Sequence, residues 1–206
     1  MNSFQALVSN PSALAVAACI AVAGCGAPAE GAGGDPIGVG SEELSSKCPP
    51  AVPDPSLAVP AGNKLAFDFD AIGVQIYGCQ ASATGFAWVF QAPEAKLYNR
   101  HGRLVGKHYA GPTWEYQDGS KVVGAKIAGF TPDPSSIPWL LLGAASHDGL
   151  GLLSTVTFIQ RLDTVGGTAP AAASCDADHV GEIQRIDYTA TYFFYEAGDA
   201  RACACK

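Results

Sequence analysis

Ile183-Gln184-Arg185-Ile186-Asp187-Tyr188-Thr189-Ala190-Thr191-Tyr192-Phe193-Phe194-Tyr195 is rich in β-branched and aromatic residues and holds neither glycine nor proline, so it reads as a β-strand. A strand has a side-chain period of two. Ile186, Tyr188, Ala190, Tyr192 and Phe194 therefore share one face, opposite Asp187, Thr189, Thr191, Phe193 and Tyr195. Both faces carry apolar or aromatic groups. The strand is expected to be central, covered on both sides, or covered on one side with a tyrosine-lined groove on the other.

Working outward, similar runs alternate with turn residues over Lys64 to Asp70, Gly73 to Cys79, Phe86 to Gln91, Leu104 to Ala110, Thr113 to Gln117, Ser120 to Ile127 and Leu152 to Leu162. Trp139 to Ala145 fits either a helical turn or a strand, and Gly143 to Asp148 reads as a polar loop. A chain of 206 residues supports one substantial core, and its 24 glycines and 14 prolines suit short strands joined by turns better than helices. The expected fold is all-β: a single antiparallel β-sandwich or barrel-like domain with long loops, over residues 64–206.

Upstream, Ala13 to Val22 is an apolar run too short to span a bilayer and suited to a signal-peptide core. It leads into Val22-Ala23-Gly24-Cys25, which resembles a bacterial lipobox. Residues 1–24 are thus read as a lipoprotein signal, with Cys25 lipidated. No Lys or Arg precedes Lys47, so the usual positive n-region is missing. A plain secretory signal cut near Ala27 or Ala29 is the alternative. Gly26 favours the outer membrane or cell surface, by resemblance to lipoprotein sorting. Residues 25–63 are Gly, Ala, Pro, Ser and acid with few large apolar groups, hence a flexible tether.

With Cys19 in the signal and Cys25 acylated, Cys48, Cys79, Cys175, Cys203 and Cys205 remain. A Cys79 to Cys175 bridge would staple the front of the domain to its back. Cys48 has Cys203 or Cys205 as a partner, and the pairing is open. Cys203-Ala204-Cys205 is a weak motif for a soft metal.

Gly73 to Cys79, Trp88-Val89-Phe90 with Ala92 to Ala95, His108 to Glu115, Asp118-Gly119-Ser120, Ile137 to Leu142, Ile159-Gln160-Arg161, Thr164 to Gly167 and Tyr188-Thr189-Ala190 together resemble a bacterial and fungal secreted family, the domain of unknown function numbered thirty-four fifty-five. The resemblance runs from Leu65 to Tyr195. It implies an exported single domain and a Cys79–Cys175 pair, and it brings no established activity or catalytic residues.

The densest chemistry lies in His108 to Gly124, two extended segments joined at Asp118-Gly119. Across the bend at Gly111-Pro112, His108 is expected to approach Trp114 or Glu115. An imidazole beside a carboxylate begins general acid–base chemistry, which makes His108, Glu115 and Asp118 the catalytic candidates. The bland alternative is that Tyr109 and Trp114 are strand residues, Asp118 makes a turn and His108 binds a backbone carbonyl. Gln160 and Arg161, followed by Thr164 to Ala169, form a candidate anion clamp. Tyr109, Trp114, Gln160 and Arg161 are accordingly the candidate ligand-binding residues. His101, His108, His147 and His179 stand apart with no metal spacing, so no metal or other cofactor is predicted; copper or zinc would need a site assembled from distant loops.

A formal net charge of -7 with scattered basic residues argues against nucleic acid as a partner. No complete catalytic signature is present. The leading expectation is a lipid-anchored envelope domain that binds a glycan or small molecule through an aromatic groove, with Tyr77, Trp88, Tyr109, Trp114, Tyr192 and Tyr195 supplying the rings. The alternatives are an extracytoplasmic hydrolase using His108 with Glu115 or Asp118, and a structural part docking on an envelope protein.

Overall fold

A computed structural model describes residues 48–199. The described chain is all-β, as expected. It forms strands β1 (Asn63–Ser82), β2 (Gly85–Tyr98), β3 (Leu104–Tyr109), β4 (Thr113–Tyr116), β5 (Lys121–Phe130), β6 (Trp139–Asp148), β7 (Val156–Gly166) and β8 (Ile183–Ala197). Each strand pairs antiparallel with the next, and β8 returns to pair along β1. The result is one sheet closed into a ring in up-and-down order, which leaves no second sheet for a sandwich.

Two expected strands, Lys64 to Asp70 and Gly73 to Cys79, are halves of β1, because Ala71 and Ile72 continue the ladder against both neighbours. Gly73 marks a close crossing rather than a break. A Cβ at this position would lie 2.2 Å from the Glu94 carbonyl oxygen. Trp139 to Ala145 is strand, and so is Gly143 to Asp148, which pairs with β5 instead of looping out. The tails of β1 and the start of β2 extend past the ring as a long hairpin. The Cys79–Cys175 disulfide, with Cα atoms 5.5 Å apart, ties that hairpin to the β7–β8 loop.

The alternation read in β8 is realised. Tyr188, Ala190, Tyr192 and Phe194 are buried inside the ring, where Phe69, Leu97, Val122, Leu153, Val156 and Ile159 fill one end. The other face is also covered, since Tyr195 is buried and Phe193 joins a second cluster of Leu57, Leu141 and Leu162 on the outside. Leu57 comes from a 3₁₀ turn at Pro55–Leu57, capped by Asp54, whose carboxylate accepts from the Ser56 N–H. Its carbonyl accepts a 2.7 Å bond from Gln160 Nε2, and Gln160 Oε1 in turn accepts from the Tyr195 hydroxyl. Residues 49–62, expected as tether, thus include a segment anchored to the sheet. One leucine with flanking Val52 and Val59 suffices because the outer faces of β5 to β8 are apolar and need a cover. Cys48 is disulfide-bonded; its expected partners Cys203 and Cys205, the signal and Cys25 lie outside the described residues.

Candidate functional site

At the end of the ring away from the apolar plug, a cavity of about 280 Å³ lies between the strands. Its walls are Tyr77, Phe90, Pro93, Trp114, Ile137, Leu140 and Leu142, and its polar lining comes from Gln75, His108, Arg161, Tyr192 and Lys126. Exposed Gln91, Gly111 and Lys126 and the half-buried Pro112 and Pro138 form the mouth.

Register sets most of this lining. Gln75 and Tyr77 follow Phe69, Ala71 and Gly73 on the inward face of β1, opposite Pro93 and Phe90 of β2. One extra residue, Gln91, is accommodated on β2 between those pairs, so Phe90 and Pro93 both face in. Proline fits here because β3 pairs with β2 only from Ala95 onward. The Tyr77 hydroxyl donates to the Gly167 carbonyl at 2.7 Å, fixing its ring as wall.

Across β3 and β4, His108 stands directly opposite Trp114. His108 Nδ1 lies 2.9 Å from the Thr113 carbonyl oxygen. A carbonyl only accepts, so Nδ1 carries the proton and Nε2 presents a lone pair. Among the described residues Nε2 has no partner. Burial pushes the His108 pKa down to about 3, opposed by the Thr113 bond and reinforced by the Arg161 charge. The ring is neutral at ordinary pH.

Arg161, inward on β7, holds the Pro138 carbonyl through Nε and Nη2 at 3.1 and 2.8 Å. Its charge faces the Tyr192 phenol, whose pKa burial raises and Arg161 lowers in part. The Tyr188 and Tyr192 hydroxyls sit 3.4 Å apart, and burial raises Tyr188 strongly as well. Two buried donors go unused by the protein: Trp114 Nε1 and Gln75 Nε2. The Gln75 side chain approaches the Tyr188 hydroxyl and lowers its pKa in part, against the larger effect of burial. Leaving such groups unpaired costs about 1 to 3 kcal/mol each, a cost the fold carries within its wall, since both atoms are sealed.

The sequence matches the family described as protein of unknown function (DUF3455) over residues 60–196, more than half of the chain. The chain belongs to the DUF3455 family. No curated protein and no solved structure is found to match it.

Within this DUF3455 domain, His108, Trp114 and Arg161 come together at the cavity, along with Tyr77 and Tyr192 from the expected aromatic set. The other candidates do not. Glu115 pairs with Lys107, one step out of register from His108, and lies on the outer face. There it accepts from the Tyr109 hydroxyl at 2.8 Å and pairs with Lys107 Nζ at 3.3 Å. The expected His108–Glu115 pairing fails because adjacent strand positions point to opposite faces, and Tyr109 leaves the ligand-binding set for the same reason. Asp118 is a turn anchor: Oδ1 accepts from the N–H and hydroxyl of Ser120, and Oδ2 from the Leu152 N–H. Gln160 faces outward, under the Leu57 turn. The Thr164 to Ala169 loop offers no anion nest, since the Gly166 N–H binds Ser136 Oγ and Thr164 Oγ1 binds the Ile137 carbonyl. No cluster of His, Cys, Asp or Glu able to hold a metal occurs among the described residues.

Gln75 and Lys126 were missed. Gln75 carried a readable signal, as a polar residue at an inward position of an otherwise apolar strand face. Lys126 lies between register shifts of β5 at Val123/Gly124 and Lys126/Ala128, so its alternation could not be followed from sequence.

Proposed function

We propose that this DUF3455 domain binds a small, largely apolar molecule within its ring of strands, and that it does so at the cell envelope, carried by a lipid on Cys25. The observation behind the binding role is the cavity itself, apolar in most of its wall, with Arg161 and His108 in its lining. Apolar walls with a few convergent polar groups are the usual make-up of small-molecule sites. A glycan is favoured less. Sugars need many paired donors and acceptors, and the walls here are mainly aromatic and aliphatic. The lipobox-like Val22 to Cys25 supports the anchoring role.

The hydrolase reading loses its carboxylates, because Glu115 and Asp118 both serve other bonds away from His108. Binding is tested by ligand-observed NMR with a fragment collection, comparing the native chain with Leu140→Trp, which fills the cavity from its half-buried wall. Fragments that bind the native chain and not the filled variant support the reading. A collection that gives no cavity-dependent signal ends it.

A further inference from the structure

We infer that the ligand is a small hydrophobic carboxylic acid, held as its carboxylate by Arg161, with Lys126 at the rim. This rests on the cavity-binding role proposed above and specifies its chemistry.

The lining is unbalanced in one direction. Two cationic side chains, Arg161 and Lys126, reach the cavity, and no Asp or Glu does. Among the described residues Arg161 has no carboxylate partner, although the chain as a whole is acidic, with a net charge of -7. Its guanidinium commits Nε and Nη2 to the Pro138 carbonyl. Arginine has further N–H donors in the same plane, so that bond orients the fork without exhausting it.

A guanidinium set among apolar walls, with no carboxylate in the lining, calls for an acceptor carrying negative charge, and charge-assisted bonds of this kind are the strong ones. His108 does not oppose this, because it is neutral and its Nε2 is free to accept from a hydroxyl on the ligand.

The rest of the wall decides the body of the ligand. Tyr77, Phe90, Ile137, Leu140 and Leu142 offer rings and branched chains, which suit an aryl or short branched alkyl group. A bare inorganic anion would leave these surfaces unmatched. A dianion would also ask for more positive charge than one arginine and a rim lysine supply.

The test is calorimetric titration of the full chain at neutral pH with matched sets: benzoate, phenylacetate and hexanoate, their primary amides, benzene as an uncharged cavity probe, and inorganic phosphate. At least one acid should bind about tenfold or more tighter than its amide, with phosphate weaker than that acid, since the acid alone combines charge with an apolar body. Arg161→Gln should remove the preference for acid over amide, and Arg161→Lys should keep part of it. If Arg161→Gln does not fold, Lys126→Glu at the rim serves instead and should weaken the acid several-fold while leaving its amide unchanged, since it reverses the charge at the mouth. Amides or benzene entering as tightly as the acids would overturn the carboxylate assignment while leaving cavity binding intact. Phosphate equalling the acids would also overturn it. Should neither acids, amides nor benzene enter, both this inference and the cavity reading fall.

Discussion

The imidazole of His108 lies nearly parallel to the indole of Trp114, with ring centroids 4.3 Å apart and 16° between planes. The two are cross-strand partners on the inward faces of β3 and β4, and Tyr192 closes on both, at 5.1 and 5.2 Å. Close approach is possible because Gly124 of β5 has no side chain: a Cβ there would meet Trp114 Cζ3 at 2.9 Å. Such ring pairs add about 0.5 to 1.5 kcal/mol beyond their buried area. The stack holds the imidazole in a dry setting where its charged form is disfavoured.

This makes the domain acid-sensitive in a defined window. With the His108 pKa lowered to about 3 in the folded state and near 6.5 when unfolded, the unfolded chain binds more protons between those values. Stability should therefore fall as pH drops below about 6.5, by up to about 1.4 kcal/mol per pH unit, and should be indifferent to His108 above it. The measurement is the free energy of denaturant unfolding from pH 4 to 7.5, for the native chain and His108→Phe. The variant has a lower plateau, because the Thr113 carbonyl loses its donor, but a shallower acid slope. Equal slopes would mean that His108 is not buried and neutral.

The Leu57 turn should behave as part of the folded domain. Leu57→Ala removes a fully buried side chain and should cost about 2 to 4 kcal/mol. A chain started at Lys64 should be less stable than one started at Pro49, both lacking the Cys48 disulfide, since it uncovers Leu141, Leu162 and their outer-face neighbours and leaves Gln160 Nε2 without its acceptor. Thermal melts of the two lengths decide it. Identical midpoints would return residues 49–62 to the status of tether.

The all-β architecture was legible because its evidence is local: alternation in Ile183 to Tyr195 and turn residues between apolar runs. Ring closure was not, because it depends on β1 finding β8 across more than a hundred residues, and nothing in either strand marks it as an edge or a seam. The site was half legible. His108, Trp114 and Arg161 stood out as chemistry-bearing residues in extended segments, but which face each occupied depended on register. Gly111-Pro112 marked the bend without fixing the pairing across it, and the pairing of His108 with Trp114 is what sends Glu115 outward. Gln160 and Arg161 likewise divide between the two faces, one bracing the Leu57 turn and the other reaching the cavity.

The Cys79–Cys175 bridge joins residues 96 apart, so closing so long a loop in the unfolded chain should stabilise the domain by up to about 4 to 5 kcal/mol. Replacing both cysteines by alanine should lower the melting point and speed amide exchange in the outer β1–β2 hairpin. The bond from Trp88 Nε1 to Ser174 Oγ and the backbone bonds between Cys79 and residues 181–182 would be left to tether the hairpin. Unchanged exchange there would show that those bonds already suffice.

Asp118 separates a structural carboxylate from a catalytic one. Burial alone would raise its pKa, but the bonds from Ser120 and Leu152 outweigh that and hold it below the usual carboxylate value. The stability it contributes is therefore present above the unfolded carboxylate pKa and lost as pH falls through the lower folded one. Around it the β4–β5 turn is tied to the segment before β7, closely enough that a side chain at Gly151 would collide with Asp118 Oδ2. Asp118→Ala should cost about 1 to 3 kcal/mol by freeing the Ser120 and Leu152 N–H groups, and should leave the cavity unaltered. Glu115→Gln, whose bonds to Tyr109 and Lys107 lie outside the ring, should change stability by less than about 1 kcal/mol. In neither variant should the affinity of a cavity ligand move, whereas Leu140→Trp, which fills the cavity, should abolish it. A loss of binding in folded Asp118→Ala or Glu115→Gln comparable to that in Leu140→Trp would mean that these carboxylates act on the site after all.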